Sequence, residues 1–187
     1  MFAPEDLIRI YTLLEQHSIP AWLNGGWGID ALLGEITRPH KDLDIFVLLD
    51  DVVRLNELLA ERGYQLKKLW SENLSTVDSS GNPIESGYVL SDQTDLELDI
   101  HAIHFDSLGN AIPAYSVEAG FVFTPADLAG KGMVTGYPVR CQSAESQMTC
   151  HLGYQLPAYQ WSDLDRLHDK FGVEIPAEIS SQRAGSG

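Results

Sequence analysis

Asp42 and Asp44 bracket a leucine in the run Arg38-Pro39-His40-Lys41-Asp42-Leu43-Asp44-Ile45. On an extended chain, side chains two apart share a face. The two carboxylates therefore point together, while Leu43, Ile45 and Val47 point the other way, into a core. At about 4 Å and an effective dielectric near 20, such a pair repels by on the order of 4 kcal/mol. A fold holds it together if one acid takes up a proton, if a basic group stands between them, or if a divalent cation does. Oxygen donors on a strand suit a hard ion such as Mg²⁺, which keeps waters and bridges to substrate phosphates. Gly25 and Gly26, the latter 16 positions upstream of Asp42, lie between a strand and a helix start. Backbone N–H groups there lack partners and face the positive end of the helix dipole. With no Cβ in the way, a phosphate chain can come close to that turn. The intervening loop carries Arg38, His40 and Lys41, which suits neutralising phosphate charge as a leaving group departs.

The elements that must position these groups follow from spacing. Pro4 to His17 reads as a helix, with Leu7, Ile8, Tyr11 and Leu14 on one face and Pro20 forbidding continuation. Ile19 to Leu23 is a short strand running into Asn24 and the glycines. A helix from Trp27 to Leu33 stops at Gly34, and a strand spans Asp42 to Leu49. Asp50 is placed to cap a third helix through Arg62, ended by Gly63. Tyr64 to Trp70 and Gly87 to Leu90 read as strands around a polar loop. Asp95 to His104 alternates, with Leu96, Leu98, Ile100 and Ala102 on one face and Asp95, Glu97, Asp99 and His101 on the other. A hairpin over Met133 to Cys141 turns at Thr135-Gly136. Two short helices follow, Ser143 to about Gly153 and Ser162 to Phe171, each opened by a hydroxyl residue.

Length and charge set the outer bounds. At 187 residues the chain makes one domain and can bury about 70% of its unfolded surface. Hydrophobic residues at 44% and charged residues at 21% exclude a disordered or fibrous chain. The net charge of −15 repels phosphate backbones and anionic lipid, so no nucleic-acid or membrane partner is expected. It favours cations: metal ions, or a substrate carrying an amine. Cys141 and Cys150 cannot build a disulfide framework and suit a reducing cytoplasm. The first residues lack a basic stretch and an apolar stretch, so no secretory signal is read there, and a cytoplasmic location is expected.

Other residues carry competing readings. Glu97 shares the face of Asp99 and is an alternative base, or an ordinary strand carboxylate. His101 continues that face and is placed to assist an acceptor hydroxyl. Asp30, one helical turn beyond the glycines, is expected to hold the loop by accepting backbone or Arg38 hydrogen bonds rather than to bind metal. His40 either contacts phosphate or packs beside the strand. His151 and Tyr154 lie on a helix end, where capping or packing is the default. Cys141, Cys150 and His151 lack zinc spacing. Trp70 and Trp161 are core or interface aromatics, or faces for a flat ligand.

The combination of glycine pair, Asp-x-Asp strand and a third acid, Asp99, resembles the nucleotidyltransferase superfamily typified by DNA polymerase beta. Trp22 to Asp30 with Arg38 to Ile45 is similar to the small antibiotic nucleotidyltransferases, the lincosamide and aminoglycoside groups. Leu98 to His101, Pro138 to Cys141 and His151 to Tyr154 resemble the short lincosamide enzymes in order and spacing, so the likeness spans about residue 5 to residue 172. It implies an α/β (α+β) nucleotidyltransferase fold, a mixed twisted sheet flanked by helices with a small C-terminal helical part. The expected division is a core over residues 1–141, a helical extension over 142–176 and a flexible tail over 177–187. It implies transfer of a nucleoside monophosphate, AMP from ATP first, to a hydroxyl of an amine-bearing antibiotic, with two Mg²⁺ ions and release of pyrophosphate. By position, Asp42 and Asp44 bind metal, and Asp99 binds metal or acts as general base. Gly25, Gly26, Arg38 and His40 hold the nucleotide, and His151 and Tyr154 face the substrate. AMPylation of a partner protein, antitoxin-type, would share the same front half. A non-catalytic nucleotide-binding module would lack one of the three acids, and a sugar transferase would carry its Asp-x-Asp behind a longer domain. The short C-terminal helices offer a homodimer surface without an apolar stripe that demands one.

Overall fold

In the computed structural model, which describes residues 1–77, 81–115 and 122–184, the chain runs α1 (Pro4–Gln16), β1 (Ala21–Leu23), α2 (Gly25–Leu33), β2 (Asp42–Leu48) and α3 (Val52–Ala60). It continues as β3 (Gln65–Leu69), β4 (Thr76–Val77), β5 (Pro83–Ile84), β6 (Gly87–Ser91), β7 (Glu97–Phe105) and β8 (Ala111–Pro113). The last elements are β9 (Gly130–Val134), β10 (Tyr137–Cys141), α4 (Ala144–Thr149), α5 (Ala158–Phe171) and α6 (Ala177–Ala184). The main sheet has eight strands in the order β3-β6-β7-β2-β1-β10-β9, with β8 also pairing to β7. It is mixed: β2 is parallel to β7 and antiparallel to β1, while β1 is parallel to β10.

Alternation on the two central strands decides the layers. Leu43, Ile45 and Val47 of β2 join Leu98, Ile100 and Ala102 of β7 in one buried cluster, beneath α1 residues Leu7, Ile10 and Leu14 and α3 residues Val52, Leu55 and Leu59. The other face starts with the acids and continues into a separate apolar cluster that includes Trp22, Phe46 and Ile103. A further cluster ties Ile29 and Leu33 of α2 to Met148, Leu164, Leu167 and Ile179. Among the described residues, no helix is long and apolar enough to cross a membrane.

Several boundaries differ from the sequence reading, each for a local reason. Helix α2 begins at Gly25 rather than Trp27, because the Asn24 side chain accepts a hydrogen bond from the Gly25 N–H at 2.7 Å. Asp50 caps nothing: a 3-10 turn over Leu49–Asp51 precedes α3, and the Asp51 carboxylate pairs with Arg54 at 2.8 Å. Ser143 does cap α4, accepting from the Ser146 N–H, yet that helix ends at Thr149. Helix α5 starts four residues before Ser162, directly behind extended Pro157. The short strands β4, β5 and β8 carry too few residues to show a pattern.

The expectation of a flexible tail gives way to helix α6; residues 185–187 lie outside the described part. Ile179 is fully buried in the α2–α5 cluster. Glu178 accepts from the Gly153 N–H and Gln182 accepts from the Leu156 N–H, so both side chains satisfy the backbone of the α4–α5 connection. Ile179→Ala is expected to cost about 2–5 kcal/mol in urea unfolding. A loss below about 0.5 kcal/mol, as for ordinary surface sites, would show that α6 does not belong to the folded unit.

Candidate active site

Parallel pairing of β2 with β7 sets Asp42 beside Glu97, Asp44 beside Asp99 and Phe46 beside His101. Asp99 is buried and Asp44 half-buried, which removes water that would screen their repulsion. Burial pushes the Asp44 carboxyl well above its ordinary range, and the charges of Asp99 and Asp42 push it further. Burial raises Asp99 to about 7; the Trp70 N–H opposes that rise and Asp42 adds to it. Burial also lowers the His101 imidazole to about 4, so it is neutral at pH 7. Asp44, Asp99 and His101 each offer a ligand atom, all within 4.8 Å of one another. Among the described residues, no Lys or Arg forms an ion pair with Asp42, Asp44 or Asp99.

The glycine turn lies against these acids. The Asn24 N–H donates to the Asp44 carbonyl at 3.0 Å, which fixes the start of α2 beside β2. Gly25 has φ +56°, and a Cβ there would come within 2.5 Å of Asp44 Oδ2. At Gly26 a Cβ would press into the His40 ring and stand 2.7 Å from Arg38 Nη2. Both positions thus need glycine for close approach. The Gly26 and Trp27 N–H groups, in the first turn, have no partner within the helix.

The cations of the loop are already committed. Arg38 grips the buried carboxylate of Asp163 through Nε (3.0 Å) and Nη2 (2.9 Å), and lies 4.6 Å over the Tyr159 ring. Asp30 does hold the loop, though not through Arg38: it accepts from Thr37 Oγ1 and contacts His40 Nε2, each at 2.6 Å. The His40 ring is buried and packs 4.6 Å from that of Trp27.

A cleft of about 840 Å³ gathers most of the sequence candidates: Gly25, Gly26, Arg38, His40, Asp42, Asp44, Asp99, His151 and Tyr154 all line it. Glu97 and His101 do not. Glu97 instead accepts from Lys67 (2.9 Å) and Lys41 (3.0 Å), which hold its carboxyl below the usual range. His101 sits behind Asp99, its Nε2 at 3.3 Å from Oδ1. The cleft also draws in Trp70, which the sequence offered as a core aromatic or a face for a flat ligand, and Cys150, Tyr159 and Gln160, which sequence reasoning had not placed in the site. For Tyr159 and Gln160 the readable signal was Pro157, whose missing N–H is tolerated at a helix start.

A mixed sheet carrying a glycine turn, an Asp-x-Asp strand and a third acid on the neighbouring strand defines a nucleotidyltransferase. A model of the aminoglycoside-2''-adenylyltransferase family matches residues 6–167, and the chain belongs to that family of antibiotic nucleotidyltransferases. It is 28% identical over 163 residues to a lincosamide resistance protein of Staphylococcus haemolyticus, covering 87% of this chain and 92% of that one. It is 25% identical over 160 residues to a 2''-aminoglycoside nucleotidyltransferase of Escherichia coli, covering 82% and 76%. Among solved structures, the lincomycin-bound lincosamide antibiotic adenylyltransferase LnuA superposes with a TM-score of 0.73 at 26% identity, covering 88% of this chain and 96% of that one. ANT(2'')-Ia in complex with adenylyl-2''-tobramycin shares the fold, with a TM-score of 0.69 at 18% identity and 98% coverage of both chains.

The raised Asp99 carboxyl has a consequence for stability. Between its ordinary 3.8 and about 7, the folded metal-free protein holds a proton that the unfolded chain has released. Raising the pH through that window therefore costs stability. In EDTA, the unfolding free energy is expected to fall from pH 5 to pH 8, and to fall less in Asp99→Asn. Equal falls in both proteins would contradict the crowding of Asp99.

Proposed function

We propose that the chain transfers AMP from ATP to a hydroxyl of a small amine-bearing antibiotic, a lincosamide first and an aminoglycoside second, with release of pyrophosphate. The observation that carries this reading is the convergence of Asp42, Asp44 and Asp99 in one cleft beside the α2 start. Lincosamides come first because the chain spans 92% of the lincosamide resistance protein and 76% of the aminoglycoside enzyme.

The donor set fits divalent ions. Buried, clustered carboxyls without a paired Lys or Arg suit an external cation, and oxygen-rich ligands suit Mg²⁺. Asp42, Asp44 and Asp99 would hold two such ions, which when bound neutralise the triphosphate and polarise the acceptor oxygen. The chain's own residues do the rest. The Gly26 and Trp27 N–H groups receive phosphate oxygens at the positive end of α2. Arg38, steadied by Asp163, and His40, steadied by Asp30, border that phosphate path. Tyr154, Tyr159 and His151 form the wall where an acceptor ring packs.

Asp99 takes the proton of the acceptor hydroxyl as the O–P bond forms and the bond to pyrophosphate breaks. Asp99 lines the cleft, whereas Glu97 is paired with two lysines and stands outside it.

Incubation with Mg·ATP and a lincosamide is expected to yield an adduct heavier by one AMP residue in mass spectrometry, with an aminoglycoside as the second acceptor. No adduct from either class would overturn the reading. Asp44→Asn is expected to lose more than about 100-fold in turnover, beyond the loss usual for outer partners of a metal site, with its fold retained by circular dichroism.

A further inference from the structure

Trp70 lines the cleft and donates a hydrogen bond to an acid of the site, and no step above uses it. We propose that Trp70 is a positioning residue for nucleotide transfer: its indole N–H holds Asp99 by one carboxylate oxygen, so that the other oxygen is the one presented to the acceptor hydroxyl and to a cation. The proposal rests on the role of Asp99 given above and adds what aims it.

The contact is short and one-sided. Trp70 Nε1 donates to Asp99 Oδ1 at 2.6 Å, and His101 Nε2 lies 3.3 Å from the same oxygen. Among the described residues, no hydrogen bond reaches Asp99 Oδ2. An indole can donate and cannot accept, so it fixes the carboxylate's rotation without offering a proton acceptor of its own. It is also neutral. A Lys or Arg at the same place would bring a full charge, depress the proton affinity of Asp99 and compete with a bound cation.

The ring is held for this purpose from both sides. Strand β3 ends at Leu69, and the Trp70 N–H donates to the Gly87 carbonyl at 3.0 Å. The Trp70 carbonyl accepts from the Asn73 N–H, and the Asn73 side-chain oxygen accepts from the N–H groups of Ser86 and Gly87. The Ser86 carbonyl accepts from the Ala102 N–H at 2.8 Å, on the strand that carries Asp99. Indole and acid are thus pinned to one framework. At Gly87 a Cβ would stand 3.0 Å from Tyr115 Cβ and in ordinary contact, 3.6 Å, with Trp70 Cδ1, so the Gly87 backbone packs close beside the ring. The ring lies nearly parallel to that of His101, at 16° and 6.4 Å, with Lys68 Nζ 4.2 Å from its centre.

Two measurements test the proposal, one independent of turnover. The four tryptophans give four indole N–H signals in a ¹⁵N–¹H spectrum, and Trp70→Phe identifies the signal of Trp70. That signal is expected to move in Asp99→Ala. In the transfer assay, Trp70→Phe keeps a ring but loses the donor. Its kcat is expected to fall about 10–100-fold with KM for ATP within about threefold, in the range for a misaimed catalytic group. Trp161→Phe, outside the cleft, should keep the parent kcat. An unmoved Trp70 signal in Asp99→Ala overturns the proposal, as does a Trp70→Phe enzyme with unchanged kcat, or an equal loss in Trp161→Phe. A parent enzyme inactive on every acceptor would instead overturn the function, while the spectrum still decides whether Trp70 holds Asp99.

Discussion

Asp44 and Asp99 stand side by side on adjacent parallel strands, with Asp42 one pleat away, and the fold supplies no Lys or Arg to pair with them among the described residues. Their repulsion, strengthened by burial, is the constraint from which the rest of the site follows. Burial raises both carboxyls, and neighbouring acids add to the rise, Asp99 and Asp42 at Asp44 and Asp42 at Asp99. A sheet whose β2 and β7 share one buried apolar face can hold such a cluster, because the core beneath offsets the strain above.

Positive charge nearby is distributed so that it does not collapse into this cluster. Lys41 and Lys67 are drawn to Glu97, one register step away from Asp99. Arg38 is drawn to Asp163 on α5, which also brings Tyr159 into the cleft wall. Each pairing leaves the acids unneutralised while keeping the cation close to where phosphates would lie. The helices after β10 therefore complete the cleft as well as the fold, and α6 secures them by burying Ile179 and satisfying the α4–α5 backbone.

What the sequence discloses is what depends on near neighbours along the chain. The pair Asp42 and Asp44, the alternation of β7 and the glycine turn are all short-range patterns, and the structure places them in one cleft. What it conceals depends on pairing across distance. The Trp70–Asp99 bond joins residues 29 positions apart and the Arg38–Asp163 bond residues 125 apart, and neither has a local signature. Glu97 and Asp99 read alike on one strand face, and contacts from distant positions distinguish them: two lysines at Glu97 and the Trp70 indole at Asp99. A single isoleucine in a polar stretch reads as tail, since Ile179 becomes core only once α2, α4 and α5 have assembled around it.

Anomalous diffraction from crystals grown with Mn²⁺ and a non-hydrolysable ATP analogue tests the central claim most directly. The account predicts anomalous peaks between the carboxylates of Asp42, Asp44 and Asp99, with the triphosphate against the Gly25–Gly26 turn. A bound triphosphate with no peak between those carboxylates, or peaks elsewhere on the chain, would contradict it.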